Sequence, residues 1–518
     1  VDRVLYKTDV LVIGGGLAGL TAAIASASNF SNTMIVTKTL VGGANTTSVA
    51  AGIFSCDFDD LNSFYIDTIK AGQKINNKKL VKTMVNDIPK YVKKLKEIEI
   101  ESGPMFMPGH SKPRCYRMKG KCIELQKKLR KSCEELGVKF IERALITSLI
   151  KDEDKVIGAI GVKTDSMEVF GILAKSIILA TGGPGELYPY TLMPIGSSGY
   201  GTSLGFRIGA EVIDMEFVQF YPTMILQEGL PRLFIDYVTL LKFGADIVDE
   251  EGNSIFKKNK IDEPYKLTRD ALSILMAKEM KNGKLYLDCT SIKSDDPQLL
   301  SVMNDLESKG VPIRTKKIGV SPYAHFFMGG LRANPNGETN INGLFVAGEA
   351  MGGVHGANRI GGNALTACIV FGFRAGTSAS LFSSTTDYAD EKILKEKTSE
   401  LIEKINTKGE KDPSEIKSII REKMWNNVGI IRNKKGLEEA LATFNSLRGY
   451  NISSNSIDGL LVAMMLDCAE LVTFSALLRE ESRGAHYRED FPEMKEEWEK
   501  SILLKIHEGE CKVSYLIN

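Results

Sequence analysis

An α/β fold built on a buried parallel sheet is what this 518-residue sequence predicts, and three segments predict it. Each is a short apolar run that ends in glycines: "DVLVIGGGLAG" (9–19), "AKSIILATGGPG" (174–185) and "GLFVAGEAMGG" (343–353). Consecutive apolar positions rich in β-branched residues suit strands covered on both faces.

The first segment carries the most specific signal. Gly14-Gly15-Gly16-Leu17-Ala18-Gly19 matches G-x-G-x-x-G and leads into an alanine-rich stretch that reads as a helix. Gly14 permits the tight turn, Gly16 lets backbone approach a pyrophosphate, and Gly19 packs helix on strand. The helix start then offers free N–H groups to phosphate, with Ala18 inside that first turn. A second strand, "TMIVT" (33–37), follows and ends at Thr37-Lys38. No acidic residue stands there for a ribose, so the common NAD pattern fails. Ribose contact falls to Thr37, Lys38 or backbone, which leaves room for FAD. The strand ending in Ala180-Thr181-Gly182-Gly183 resembles the second flavin signature of FAD-dependent oxidoreductases. The third segment places Glu349 where such proteins contact the ribityl chain or ribose.

Composition narrows the class. Lys plus Arg is 66 and Asp plus Glu is 65, a net charge of +1, which argues against a nucleic-acid binder. Apolar residues are 43% and charged residues 25%, ordinary for a globular chain, and the length predicts two to four domains. The 48 glycines cluster at 14–19, 42–52, 182–209 and 329–376, as backbone kept close to a ligand would require. No apolar run reaches about 18 residues, so no transmembrane segment is expected, and no signal region is seen. The expected location is cytoplasmic, or peripheral to a membrane through partner subunits. Cys56, Cys115, Cys122, Cys133, Cys289, Cys368, Cys468 and Cys511 are scattered without a CxxC pair. Neither a disulfide framework nor a metal or iron–sulfur site in this chain is expected.

Further motifs give a family resemblance. "SPYAHFFMGG" (321–330), "VHGANRIGGNAL" (354–365), "DMEFVQFYPT" (214–223), "LTRDAL" (267–272), "WNNVGIIRN" (425–433) and "ESRGAHYREDFP" (481–492) all occur. Together they resemble the flavoprotein subunits of succinate dehydrogenase and fumarate reductase, and L-aspartate oxidase, and they follow the family's order along the chain. The resemblance implies a Rossmann-like FAD-binding domain in two parts, 1–221 and 336–395. It also implies an inserted α+β capping domain at 222–335. A helical C-terminal domain at 396–518 follows, behind a charged linker (386–401) that reads as a solvated helix face.

The implied reaction moves two hydrogens across a C–C bond beside a carboxylate, one as hydride at flavin N5 and one as a proton. By resemblance Arg269 is the catalytic arginine, with Asp270 placed to orient it. His325 and Arg359 bind substrate, Arg359 as a bidentate clamp on carboxylate. His355 lies near the flavin, and Asn363, Ala364 and Leu365 close the cofactor site. Two positions depart from the family. Tyr221 stands where most members have His, two residues before the substrate-binding Thr223. The family's Thr-Glu-Gly is replaced by Tyr237, Val238 and Thr239, although a hairpin survives at Asp249–Gly252. Half of the dicarboxylate clamp is therefore rewritten.

The run "GGANTTSVAAG" (42–52), with Asn45, Thr46, Thr47, Ala51 and Gly52, lies along the flavin ring by resemblance. In respiratory members a histidine of this run is bonded to the flavin; the matching position is Asn45, so non-covalent FAD is expected. The implied partners are a small carboxylic acid and an iron–sulfur or other electron-transfer protein. Three alternatives stay open. One is L-aspartate oxidase, with Glu101 or Glu228 meeting the amine. Another is a family member acting on a different enoate. The last is a non-catalytic electron relay. The basic stretch 107–121 reads as a solvated loop over the flavin edge, with a partner-docking surface as the alternative.

Overall fold

The computed structural model describes residues 4–405, 409–450, 452 and 454–518. Strand β1 (Val4–Ile13) lies between β2 (Thr33–Val36) and β3 (Val169–Leu179), parallel to both, in a seven-stranded sheet. Val10, Leu11 and Val12 are fully buried on consecutive positions, as a strand covered on both faces requires. Lys139–Ile141 extends the sheet beyond β2, and an antiparallel meander of Lys155–Lys163 and Ala144–Asp152 extends it beyond β3. Helix α1 (Leu17–Ala27) starts where β1 ends. Gly14 has φ +119°, and a Cβ there would sit 2.2 Å from the Ala180 carbonyl oxygen. Only glycine lets β1 turn this close to the end of β3.

A second, antiparallel sheet carries the inserted region. It joins β4 (Val218–Ile225) to β5 (Ile318–Phe327), then to Leu285–Asp288 and Asp246–Val248. Helix α2 (Arg269–Glu279) packs on it. Its apolar core is separate from the main one and includes Leu240, Ile247, Leu272, Leu287 and Leu299. The turn after Asp246–Val248 is held by Asp249, whose carboxylate accepts from the N–H groups of Glu251 and Asn253.

Strand β6 (Leu344–Val346) returns to the first sheet, parallel to β3. Helix α3 (Asn363–Ser384) follows and lies against α1. Added Cβ atoms at Gly372 and Gly376 would meet Thr21 Oγ1 at 2.0 Å and the Ala22 carbonyl oxygen at 2.1 Å. Residue numbers rise together along this contact, so the two helices run parallel with their N-termini at the same end. α3 and Ile457–Leu478 are each long and apolar enough to cross a membrane, but their apolar windows are 67% and 78% buried within the fold. Both serve here as core helices.

Two features differ from the sequence expectation. The boundary at 395/396 falls inside a helix, Glu391–Ile405, whose Leu394 and Thr398 pack over Gly171 of β3. The charge run is a solvated helix face, yet the other face covers the first sheet. The C-terminal region is also not purely helical. After Pro413–Asn427, Lys434–Arg448 and Ile457–Leu478, a hairpin of Ser501–His507 and Glu510–Leu516 pairs through Ser501–His507 with Val212–Ile213. Glu508 and Gly509 both have positive φ, the two-residue turn that suits a twisted hairpin.

Candidate functional site

The cofactor cleft opens where β1, β3 and β6 end. Gly16 starts α1 without a side-chain cap and no acidic residue lies in its first turn, so the helix presents N–H groups and a positive dipole end to the cleft. α3 does the same from Gly362. A Cβ at Gly19 would sit 2.0 Å from the Gly14 carbonyl oxygen, which closes the phosphate turn on the helix. Four residues expected around the cofactor carry buried polar atoms without a hydrogen-bond partner: Thr181 Oγ1, His355 Nδ1, Arg359 Nε and Asn363 Oδ1. Such atoms are costly unless a ligand or water meets them, so the residues fit a bound polar cofactor.

The small-residue run forms a short helix, Thr46–Val49, capped by Asn45, whose side chain accepts from Ser48 N–H at 3.1 Å. Thr47 Oγ1 accepts from Leu17 N–H at 3.3 Å, tying this turn to the start of α1. Thr46 is half-buried, Gly52 is buried with positive φ, and Ala51 is exposed. Thr37 is buried at the end of β2. Lys38 donates to the Gly196 carbonyl, and burial lowers its pKa to about 8 against the pull of Glu186. Glu349 accepts from Phe327 N–H at 3.0 Å, so it pins the end of β5 to the cleft; burial raises its pKa to about 7. Ala180 and Gly182 line the turn after β3, with Gly182 at positive φ and no atom within 4 Å of an added Cβ. Ala364 and Leu365 lie in the first turn of α3.

The substrate side is built from β4, β5, α2 and the loop before α3. Arg359 is 7% exposed, and Arg269 is the first residue of α2. A cation at a helix N-terminus opposes the dipole, which costs about 0.3–1 kcal/mol. Both guanidiniums converge on one neutral atom, Gln219 Oε1, from Arg359 Nη2 at 2.9 Å and Arg269 Nη1 at 3.2 Å. Among the described residues no carboxylate lies within 4.0 Å of either guanidinium. Arg359 stacks over Phe326 at 4.5 Å and Arg269 over Tyr221 at 5.2 Å. Burial, then the neighbouring Arg269, lowers the Arg359 pKa to about 9. Two buried cations without a counter-ion form an anion site.

The opposite wall is aromatic and neutral. Tyr221 contacts the rings of Phe234, Tyr237, Tyr323 and His325 at centroid distances of 4.9–5.7 Å. Burial holds the Tyr221 pKa well above its ordinary value, so it stays a neutral hydroxyl. Burial, then Arg359 and Arg269, holds His325 far below its ordinary pKa, so the ring is a neutral hydrogen-bonding group. Its Nδ1 lies 3.4 Å from Tyr323 Oη. His355 is neutral for the same reason, at about 3, and meets Phe326 edge to face. Thr223 donates to the Ile235 carbonyl at 2.8 Å, so its hydroxyl secures the chain before Tyr237. Tyr237 donates to the Leu267 carbonyl at 3.2 Å, in the turn before Arg269.

The family model described as the FAD binding domain matches residues 9–365. The chain belongs to this FAD-binding family. A second model, the fumarate reductase flavoprotein C-terminal region, matches residues 417–516. The fumarate reductase (CoM/CoB) flavoprotein relative from Methanothermobacter marburgensis, itself one subunit of that enzyme, is 34% identical, over 96% of this chain and 97% of its own. An L-aspartate oxidase of Saccharolobus solfataricus is 31% identical, over 93% and 96%. The solved Mycobacterium smegmatis Sdh1 in complex with UQ1 superposes with a TM-score of 0.88 at 27% identity, over 99% of this chain and 94% of that one. Escherichia coli quinol fumarate reductase FrdA shares the fold, with a TM-score of 0.87 at 22% identity over 99% and 97%. FAD is the cofactor of this family member, which is a flavin-dependent oxidoreductase of the fumarate reductase/succinate dehydrogenase type.

Arg269, His325, Arg359 and Tyr221 thus meet on one side of the site, and the residues expected to hold FAD line the other. Gln219 and Asn358 sit inside the family motifs, yet sequence reasoning passed over them; a buried amide between two arginines was the missed signal. The basic stretch 107–121 corrects an expectation, because it is anchored and not solvated. Arg114, 1% exposed, is held by Asp57 at 3.2 Å and by Asp67. His110 is buried against the Gly361 carbonyl at 2.9 Å, with its pKa lowered to about 4 by burial. A buried arginine needs carboxylate partners, and these lie about fifty residues upstream where sequence alone does not pair them.

Proposed function

We propose that this flavoenzyme adds or removes two hydrogens across a C–C bond adjacent to a carboxylate. The observation that carries the reading is the pair of counter-ion-free guanidiniums, Arg269 and Arg359, meeting at Gln219 Oε1. Arg359, buried and positively charged, clamps the carboxylate, and its forked donors favour a bidentate pair. Bound FAD supplies hydride transfer at the bond being reduced or oxidised. Arg269 holds the proton exchanged on the opposite face, and His325 donates a hydrogen bond as a neutral ring. Thr181, His355 and Asn363 hold the cofactor through polar atoms otherwise unpartnered. FAD is held without a covalent bond, because Asn45 occupies the matching position and its side chain serves as a helix cap. Acid precipitation of the yellow protein should leave the flavin in the supernatant.

Fumarate is the first substrate to test, with reduced dye as donor to the purified FAD-loaded chain. A second reading is favoured by the neutral aromatic wall around Tyr221: an enoate with one carboxylate and a flat, uncharged far end. Reduction of such enoates with no turnover of fumarate would select the second reading; failure with every enoate would remove both. The L-aspartate oxidase reading is supported by the relatives but not by local chemistry, since Glu101 and Glu228 are both exposed. Peroxide release with L-aspartate decides it. An electron-transfer partner protein is proposed because the Methanothermobacter marburgensis relative is named as one component of a larger enzyme.

A further inference from the structure

Two side-chain amides link a carboxylate to the arginine pair. Asp270 Oδ1 accepts from Asn358 Nδ2 at 2.7 Å. Asn358 Oδ1 accepts from Gln219 Nε2 at 2.6 Å, and the same Nε2 donates to the Arg359 carbonyl oxygen at 2.9 Å. Gln219 Oε1 then faces both guanidiniums.

An amide can present either its oxygen or its NH2 to a neighbour, and turning it reverses the sense of every bond it makes. The two ends of this chain do not allow that freedom. An ionised carboxylate only accepts and a guanidinium only donates. Of the four orientations of two amides in series, a single one satisfies both ends. Asp270 is itself held by Thr268 and by the N–H groups of Asp270 and Ala271 at the start of α2. Gln219 is fully buried, so water cannot replace a lost partner there.

We propose that Asp270 and Asn358 are positioning residues that act on the arginines through Gln219. They keep the Gln219 oxygen toward Arg269 and Arg359, which sets the spacing and direction of the donors left for a substrate carboxylate. This inference rests on the reading that the arginine pair binds carboxylate. A reversed Gln219 would aim its NH2 at two cations and drive them apart.

The test is a charge swap on the FAD-loaded chain. Malonate and benzoate, carboxylates without a reducible C=C bond beside the acid, are titrated against the flavin absorbance to give Kd. Asn358→Asp sets two carboxylates face to face and should weaken binding by about tenfold or more. Asp270→Asn leaves one oxygen to serve both the α2 N–H groups and Asn358, and should weaken binding by about threefold. It is isosteric, so it keeps the test open should Asn358→Asp fail to fold. The double variant Asp270→Asn/Asn358→Asp restores acceptors to both neighbours and should return to within about threefold of wild type. A merely structural role would lower Tm in the single variants and leave Kd unchanged. Unchanged Kd in the single variants, or a double variant no better than the worse single, overturns the inference. If neither carboxylate perturbs the wild-type flavin, the anion site falls and this inference falls with it. Tight wild-type binding with indifferent variants removes the positioning role alone.

Discussion

The two ends of the substrate site are built on different physics. One end is ionic and fully specified: two arginines, one amide oxygen and a hydrogen-bonded chain back to Asp270. The other is a set of neutral rings around Tyr221, held by packing and by a few hydroxyl bonds to backbone. Directional bonds tolerate little change, because a misplaced guanidinium loses partner and geometry together. Ring contacts tolerate replacement of similar volume. The family resemblance is kept at the first end and lost at the second. Substrate identity can drift through the aromatic wall while the carboxylate anchor stays.

The largest break in this contrast is Arg269→Ala. Loss of the proton-exchanging group should lower kcat by about 10²–10⁴-fold with FAD still bound. Unaltered steady-state turnover would exclude Arg269 from proton transfer. Next, Arg359→Leu removes a charge-assisted clamp worth about 1.5–3 kcal/mol, so KM should rise about 10–100-fold. A KM that stays put would show that the carboxylate sits elsewhere. Tyr221→His brings an imidazole to the aromatic end and should shift kcat/KM toward dicarboxylates by about tenfold. Competition between fumarate and a mono-carboxylate enoate measures that ratio. The smallest effect is in pH. Arg359 is a cation below its lowered pKa of about 9 and loses its charge as pH rises through it. KM for the carboxylate should therefore climb above pH 9. His325 is already neutral near pH 7, so no limb of the profile should come from its protonation there.

The cofactor half was legible because its constraints are steric and local. Gly14 and Gly19 admit no Cβ, and such positions are printed in sequence as glycines at fixed spacing. Arg269, His325 and Arg359 were legible through the motifs around them. Other parts depend on pairing between distant segments. Asp57 and Asp67 neutralise Arg114 across about fifty residues, and Gln219 meets Asn358 across 139. Neither spacing has a period that a sequence reveals. The C-terminal hairpin was missed for a similar reason. Its first strand is buried only because Val212–Ile213, far upstream, offers an edge to pair with. The helix Glu391–Ile405 crossed the expected boundary because its charged face was visible and its small apolar face was not.

The parallel contact of α1 and α3 has a bearing on how this chain survives before it ever meets substrate. Two helices laid side by side in the same direction, close enough that Gly372 and Gly376 admit no side chain, bring like dipole ends together. Their mutual repulsion is relieved when an anionic pyrophosphate sits between the two starts. Ligand binding at 100 times Kd adds about 2.7 kcal/mol to a fold, a large part of the usual margin. Vitamin supply thus becomes a control on abundance: newly made polypeptide that finds no flavin is the population most open to proteolysis, whatever its catalytic residues.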